Sequence, residues 1–140
     1  MNWNSTFRNI FAVFSGFVAG FIVNMTLIIN SSRIIPPPLG VDVTTMEGLK
    51  ANIHLFEPKH FIVPFLAHAL GTFVGSLLAA RLAITNKTNC ATVVGIVFLL
   101  GGIANVMMLP SPIWFTAVDL VAYLPLSYIA SRFVVKSRKD

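Results

Sequence analysis

The chain has 140 residues, 56% of them hydrophobic and 11% charged, with a formal net charge of +5 and a mean hydropathy of +0.80. A soluble domain carries about 25% charged residues, so this composition excludes an ordinary soluble globule and places the chain in a bilayer. The positive charge does not mark a nucleic-acid binder: four of the ten Lys and Arg (Arg132, Lys136, Arg138, Lys139) gather in the last nine residues, beside an apolar segment, where cations face the cytoplasm and anionic lipid.

In chain order, the first apolar segment covers residues 10–29. About 20 helical residues cross a ~30 Å hydrocarbon core, so it is predicted to span. Arg8 precedes it, as a cation precedes a secretory leader. The run exceeds a leader's h-region of roughly 7–15 residues and ends without a small-x-small cleavage site, so a retained helix is expected. Ala12, Gly16 and Gly20 recur every fourth residue, with Asn24 one turn further.

The long connection that follows begins with Pro36-Pro37-Pro38, which favours an extended polyproline segment. Thr44-Thr45-Met46-Glu47 then reads as a capping box, with Thr44 capping and Glu47 reaching back. An amphipathic helix over residues 45–57 is predicted, with Met46, Leu49, Ile53 and Phe56 on one face and Pro58 ending it. Such a helix lies in the membrane interface and could cover one end of a bundle. His54, Glu57 and His60 are spaced three apart and are weak candidates for metal ligands, although Pro58 interrupts them.

The second apolar segment, residues 61–83, carries Ala67, Gly71, Gly75 and Ala79 in a small-residue stripe, and His68 beside it. The third, residues 91–109, has Gly95 and Gly102 on one face and Asn105 near its end. Cys90, the one cysteine, excludes an internal disulfide and reads as a small apolar side chain at the start of that helix. The fourth, residues 113–135, places Thr116, Asp119, Tyr123 and Ser127 within a narrow arc and carries Pro125 mid-way, where a kink is expected. The fold class that follows is all-α: an integral membrane four-helix bundle in a single domain, with an amphipathic helix in the first outer loop. Small-residue stripes let helix backbones approach closely in lipid, within one bundle or between protomers.

Charge sets the expected orientation. Arg8, the second connection (Arg81, Lys87) and the tail place seven cations on one side, against Arg33, Lys50 and Lys59 on the other. Both termini are therefore expected in the cytoplasm, with Trp3 and Phe7 at the inner interface and Trp114 and Phe115 at the outer one; compactness and topology suggest a bacterial inner membrane.

Ionisable residues within a membrane are costly and are functional candidates by default. At ~1.5 Å per residue, His68 and Asp119 lie roughly 10 Å from the outer end, and Asn24 and Asn105 roughly 6–9 Å. All four helices thus bring a strong hydrogen-bonding group to one level. The predicted ligand-binding set is Asp119 and His68 as the charged pair, with Asn24, Asn105, Tyr123 and Thr116 around them. No catalytic or cofactor motif is strong and the cofactor stays open; Ser127 and Tyr123 lie deeper than Asp119, so a hydrolase triad lacks an obvious nucleophile at the right depth. Three readings compete: a polar pocket that binds or passes a small ligand or ion; an accessory subunit whose glycine stripes dock on a larger membrane complex, or a homo-oligomer, with the polar residues as helix-to-helix glue; and a membrane enzyme acting on a lipid or quinone. A Gly-x-x-x-Asn pattern occurs twice (Gly20–Asn24, Gly101–Asn105), as a weak internal repeat. In size and helix number the chain is similar to glutathione-linked membrane enzymes and small multidrug transporters. It lacks the arginine-rich inner motifs of the first and the glutamate in the first helix of the second.

Overall fold

The computed structural model describes residues 3–136. They form α1 (Trp3–Ile34), α2 (Met46–Asn52), α3 (Ile62–Leu82), α4 (Lys87–Met108) and α5 (Ile113–Lys136). Helices α1, α4 and α5, and α3 with the 3-10 turn before it, are long and apolar enough to cross a membrane. The protein is an all-α four-helix membrane bundle, and α3 packs against each of the other three long helices.

The segments taken from hydropathy correspond to α3, α4 and α5 within a few residues, but α1 is 32 residues long and outruns residues 10–29 at both ends. Its last turns are polar, and hydropathy does not register them. Near that end side chains bond back along the helix, Thr26 Oγ1 to the Ile22 carbonyl at 2.7 Å and Asn30 Nδ2 to the Thr26 carbonyl at 2.8 Å.

The small-residue stripes meet inside the chain. The buried residues of α1 are Ala12, Gly16 and Gly20. A Cβ added to Gly16 would lie 2.5 Å from the Gly75 carbonyl oxygen, and one on Gly20 would overlap the Gly71 carbonyl oxygen. This order makes α1 and α3 antiparallel, backbone against backbone. Gly95 and Gly102 of α4 play the same part against α5, where an added Cβ would lie 2.5 Å from Ser127 Oγ and 2.8 Å from the Tyr123 hydroxyl. Dispersion and close approach drive such contacts in lipid, where apolar burial gives no advantage. The buried hydroxyls of Thr72, Ser76, Ser127 and Ser131 each donate to a main-chain carbonyl, and that of Ser76 crosses from α3 to Ala91 of α4.

The short α3–α4 connection is tied to α1. Asn9 Oδ1 accepts from the amides of Ile84 (3.1 Å) and Thr85 (3.4 Å), and its Nδ2 donates to Thr85 Oγ1 (2.8 Å). Lys87 Nζ donates to the Ala80 and Ala83 carbonyls at 3.0 and 2.6 Å, closing the end of α3. Sequence reading weighed Lys87 only as a topological charge and gave Asn9 no role. Replacing Asn9 by Ala is expected to lower stability by about 1 kcal/mol. Thermal unfolding in micelles checks this; an unchanged midpoint would show the tie to be idle.

The first connection departs from expectation in three ways. The predicted helix over 45–57 is only Met46–Asn52, followed by 3-10 turns at Ile53–Leu55 and Pro58–Phe61. The cap is Thr45, whose Oγ1 accepts from the Gly48 amide at 3.0 Å, and not Thr44. The Asp42 carboxylate accepts from the Thr44 hydroxyl (2.6 Å) and amide (2.8 Å) and from the Thr45 hydroxyl (3.1 Å), so it holds the residues that lead into the cap. Those bonds, the Thr44 hydroxyl foremost, hold the Asp42 pKa below its ordinary value. Pro58 also begins a turn rather than only ending one. Glu57 and His60 form a capping box across it, in which His60 Nδ1 accepts from the Glu57 amide at 2.9 Å.

Candidate functional site

At the end of the bundle that carries the long connection, the helices enclose a chamber of about 650 Å³. Small-molecule sites commonly occupy roughly 300–1,000 Å³. Met46, Leu49, Ile53 and Phe56 line it. The apolar face predicted for the connection therefore roofs the bundle. Ile53 is anchored by packing on Phe61 and Phe115, whose rings are 4.8 Å apart.

The deeper part of the wall holds a built polar group. His68 Nδ1 lies 2.9 Å from both Oδ1 and Oδ2 of Asp119, and the Tyr123 hydroxyl donates to Oδ2 at 3.2 Å. The His68 and Tyr123 rings stack with centroids 6.1 Å apart and planes 28° from parallel. Asp119 is only 4% exposed. Local sequence explains the arrangement. Asp119 and Tyr123 are four apart on α5 and so share a face. Gly102 leaves the space that the Tyr123 ring fills. Thr72 Oγ1 bonds the His68 carbonyl at 2.7 Å, one turn along α3.

Of the residues expected at the site, His68, Tyr123, Asn24 and Asn105 line the chamber. Asp119 does not; it stands behind His68 and Tyr123 and orients both. Thr116 lies outside the wall, its amide bonded to the Pro112 carbonyl at 3.0 Å in the first turn of α5. It lies roughly 10 Å along the helix from Tyr123, and at its level the wall is made by Phe115. The three weak metal candidates do not converge. His54 is exposed, His60 is buried with Nδ1 engaged by the Glu57 amide, and Glu57 is paired with Lys59 at 3.0 Å. The Lys59 bond, and then its charge, hold the Glu57 carboxyl below its ordinary pKa. Among the described residues no three His, Cys, Asp or Glu come together as metal ligands. His60 instead lines the chamber, as do Ser31, Ser32 and Ser111, which sequence reading passed over. The Glu-Pro-x-His order was the available signal for His60, as a capping box.

No family model, curated protein or solved structure is significantly similar to this chain. The functional reading therefore rests on chemistry.

Two atoms set that chemistry. Asn24 Oδ1 is buried and has no hydrogen-bond partner among the described residues. Asn24 is held there by the α1–α3 seam, since a Cβ on Gly71 would lie 2.9 Å from its own Cβ. That places it within one turn of His68 along α3. The second atom is His68 Nε2. With Nδ1 on Asp119, Nε2 is the ring nitrogen left for the chamber, and it makes no hydrogen bond among the described residues. A carboxylate that receives an Nδ1–H fixes the tautomer and leaves Nε2 as an acceptor; on protonation Nε2 becomes a donor.

Proposed function

We propose that this protein is a small multi-pass membrane component whose outward-facing intramembrane chamber binds a small ligand against His68. The cation distribution, seven against three, supports cytoplasmic termini and a chamber in the outer half of a bacterial inner membrane. The observation that carries the reading is the His68–Asp119–Tyr123 group at the chamber wall, with the orphaned Asn24 Oδ1 packed beside it. A polar cluster serving only as glue would satisfy its buried acceptors internally, because an orphaned one costs about 1–3 kcal/mol. The feature that suggested an accessory subunit, the glycine stripes, is used within the bundle.

His68→Ala is expected to abolish ligand retention while the bundle still elutes as a folded species, because Asp119 keeps the Tyr123 bond. Ligand retention after detergent extraction reads this directly; a His68→Ala protein that holds its ligand at wild-type occupancy refutes the reading.

One observation favours a second reading. A buried carboxylate holding His Nδ1, with Nε2 turned to a cavity, is general-base geometry. Ser127 is unsuited as a nucleophile: its hydroxyl is bound to the Leu124 carbonyl at 2.8 Å and is packed under Gly95. Chemistry at this site would therefore be proton transfer to or from a bound ligand, as in a membrane enzyme acting on a lipid or quinone, and turnover of the retained ligand would reveal it.

A further inference from the structure

The chamber wall constrains what it can hold. Among the described residues that line it there is no Lys, Arg, Asp or Glu. The one nearby carboxylate, Asp119, is outside the wall and already receives His68 and Tyr123. A phosphate or carboxylate head would thus enter without a fixed cation, and an ammonium head without a free anion. Unpaired charge is expensive in such surroundings. An uncharged head is not. Asn24, Asn105 and His68 line the wall and supply hydrogen-bonding positions. The complementary head carries hydroxyl or hydroxyl-and-carbonyl groups.

The shape of the opening adds the second half. On their deeper parts α1 and α4 touch, with the Phe17 and Phe98 rings 5.8 Å apart. Beyond that contact they line the chamber from opposite sides, Asn24 and Ile28 from α1 and Gly101 and Asn105 from α4. A Cβ added to Gly101 would meet nothing within 4 Å. Phe21 and Val97 line the chamber yet are 48% and 39% exposed, so they form the lips of a cleft on the side of the bundle. At this depth that side faces hydrocarbon, whereas the end is roofed by α2 and Phe56.

Resting on the binding function proposed above, we infer that the occupant is an uncharged amphiphile, taken from the bilayer through the α1–α4 cleft, with its hydroxyl-bearing head at Asn24 and His68 and its apolar tail left in the cleft. A quinol and an acylglycerol share this chemistry, and the probes separate them.

The test measures binding to the full chain in nanodiscs, by displacement or native mass spectrometry. The probes are decyl benzoquinol, decanoyl glycerol, decyl phosphate and decyltrimethylammonium, with untailed benzoquinol and glycerol for comparison. One or both neutral tailed probes should bind, and the stronger names the source. The charged probes should bind at least about hundredfold more weakly. Asn24→Leu should weaken the neutral probe about tenfold without loss of folding, since the amide oxygen it removes has no partner. Gly101→Phe, placed in open space, should block the tailed probe and leave the bundle intact. Tighter binding of a charged probe would overturn the inferred class and leave the chamber a binding site. Binding of the untailed heads that is equal to that of the tailed ones and indifferent to Gly101→Phe would overturn entry from lipid while leaving the binding function. Failure of every probe, with Asn24→Leu changing nothing, would overturn both.

Discussion

Gly71→Leu is expected to prevent assembly of the bundle. A Cβ there would lie 2.8 Å from the Gly20 carbonyl oxygen and 2.9 Å from Asn24 Cβ. The first of these is backbone, which cannot swing aside as the end of a long side chain can. Overpacking a closed core costs about 1–3 kcal/mol, and more where nothing yields. Here α1 must leave α3 to make room, and its buried residues are all on that seam. Fluorescence-detected size exclusion of the detergent-extracted protein reads the outcome. The variant should appear as aggregate or not at all, while Gly101→Leu, with nothing within 4 Å, elutes like the parent. Equal behaviour of the two would show that the seam does not hold the bundle.

Asp119→Asn is expected to do the opposite: to keep the bundle and lose the ligand. Asparagine is isosteric, its Oδ1 can accept from His68 Nδ1, and its Nδ2 can donate to the Tyr123 oxygen. Two of the three contacts survive in number; the second one from His68 Nδ1, to Oδ2, is lost. Interhelical hydrogen bonds within membranes contribute on average well under ~2 kcal/mol, so the stability change should be small. What disappears is the second acceptor oxygen by which Asp119 holds His68 Nδ1 and fixes the ring. Loss of ligand by about tenfold or more, with an unfolding midpoint near that of the parent, is the expected result. A collapse of folding with Asn would instead make the dyad structural. Asp119→Leu should collapse it in any case, because it orphans both the His68 Nδ1 and the Tyr123 hydroxyl.

Much of this arrangement is legible in the amino-acid order because it depends on period. Length and hydropathy define spans, and residues four apart define faces. Gly16, Gly20, Gly71 and Gly75 therefore declare a seam, and Asp119 with Tyr123 declares a polar face, before any contact is known. Depth counting brings His68 level with Asp119, and the two are bonded at 2.9 Å. Period does not reveal which of two adjacent threonines caps: Asp42 accepts from both hydroxyls, and it is Thr45 that receives the Gly48 amide. Nor does it show where the wall ends. Thr116 belongs to the same arc as Tyr123, yet at its level the wall is made by the neighbouring Phe115 and not by Thr116. His60 looks like a ligand by type, but its ring nitrogen caps a backbone amide. The role of Asn9 needed the α3–α4 connection to be seen beside α1, a relation between residues more than 70 apart, at |i−j| of 75 and 76.

The most direct measurement is native mass spectrometry of the protein released gently from its own membrane, comparing the parent chain with His68→Ala and Asp119→Asn. The expected spectrum shows the parent carrying a small molecule of defined mass, absent from both variants, while all three remain folded. A parent chain that flies empty, or that carries the same adduct as both variants at the same occupancy, would contradict a ligand site at His68 and reduce the polar cluster to a fastening between helices.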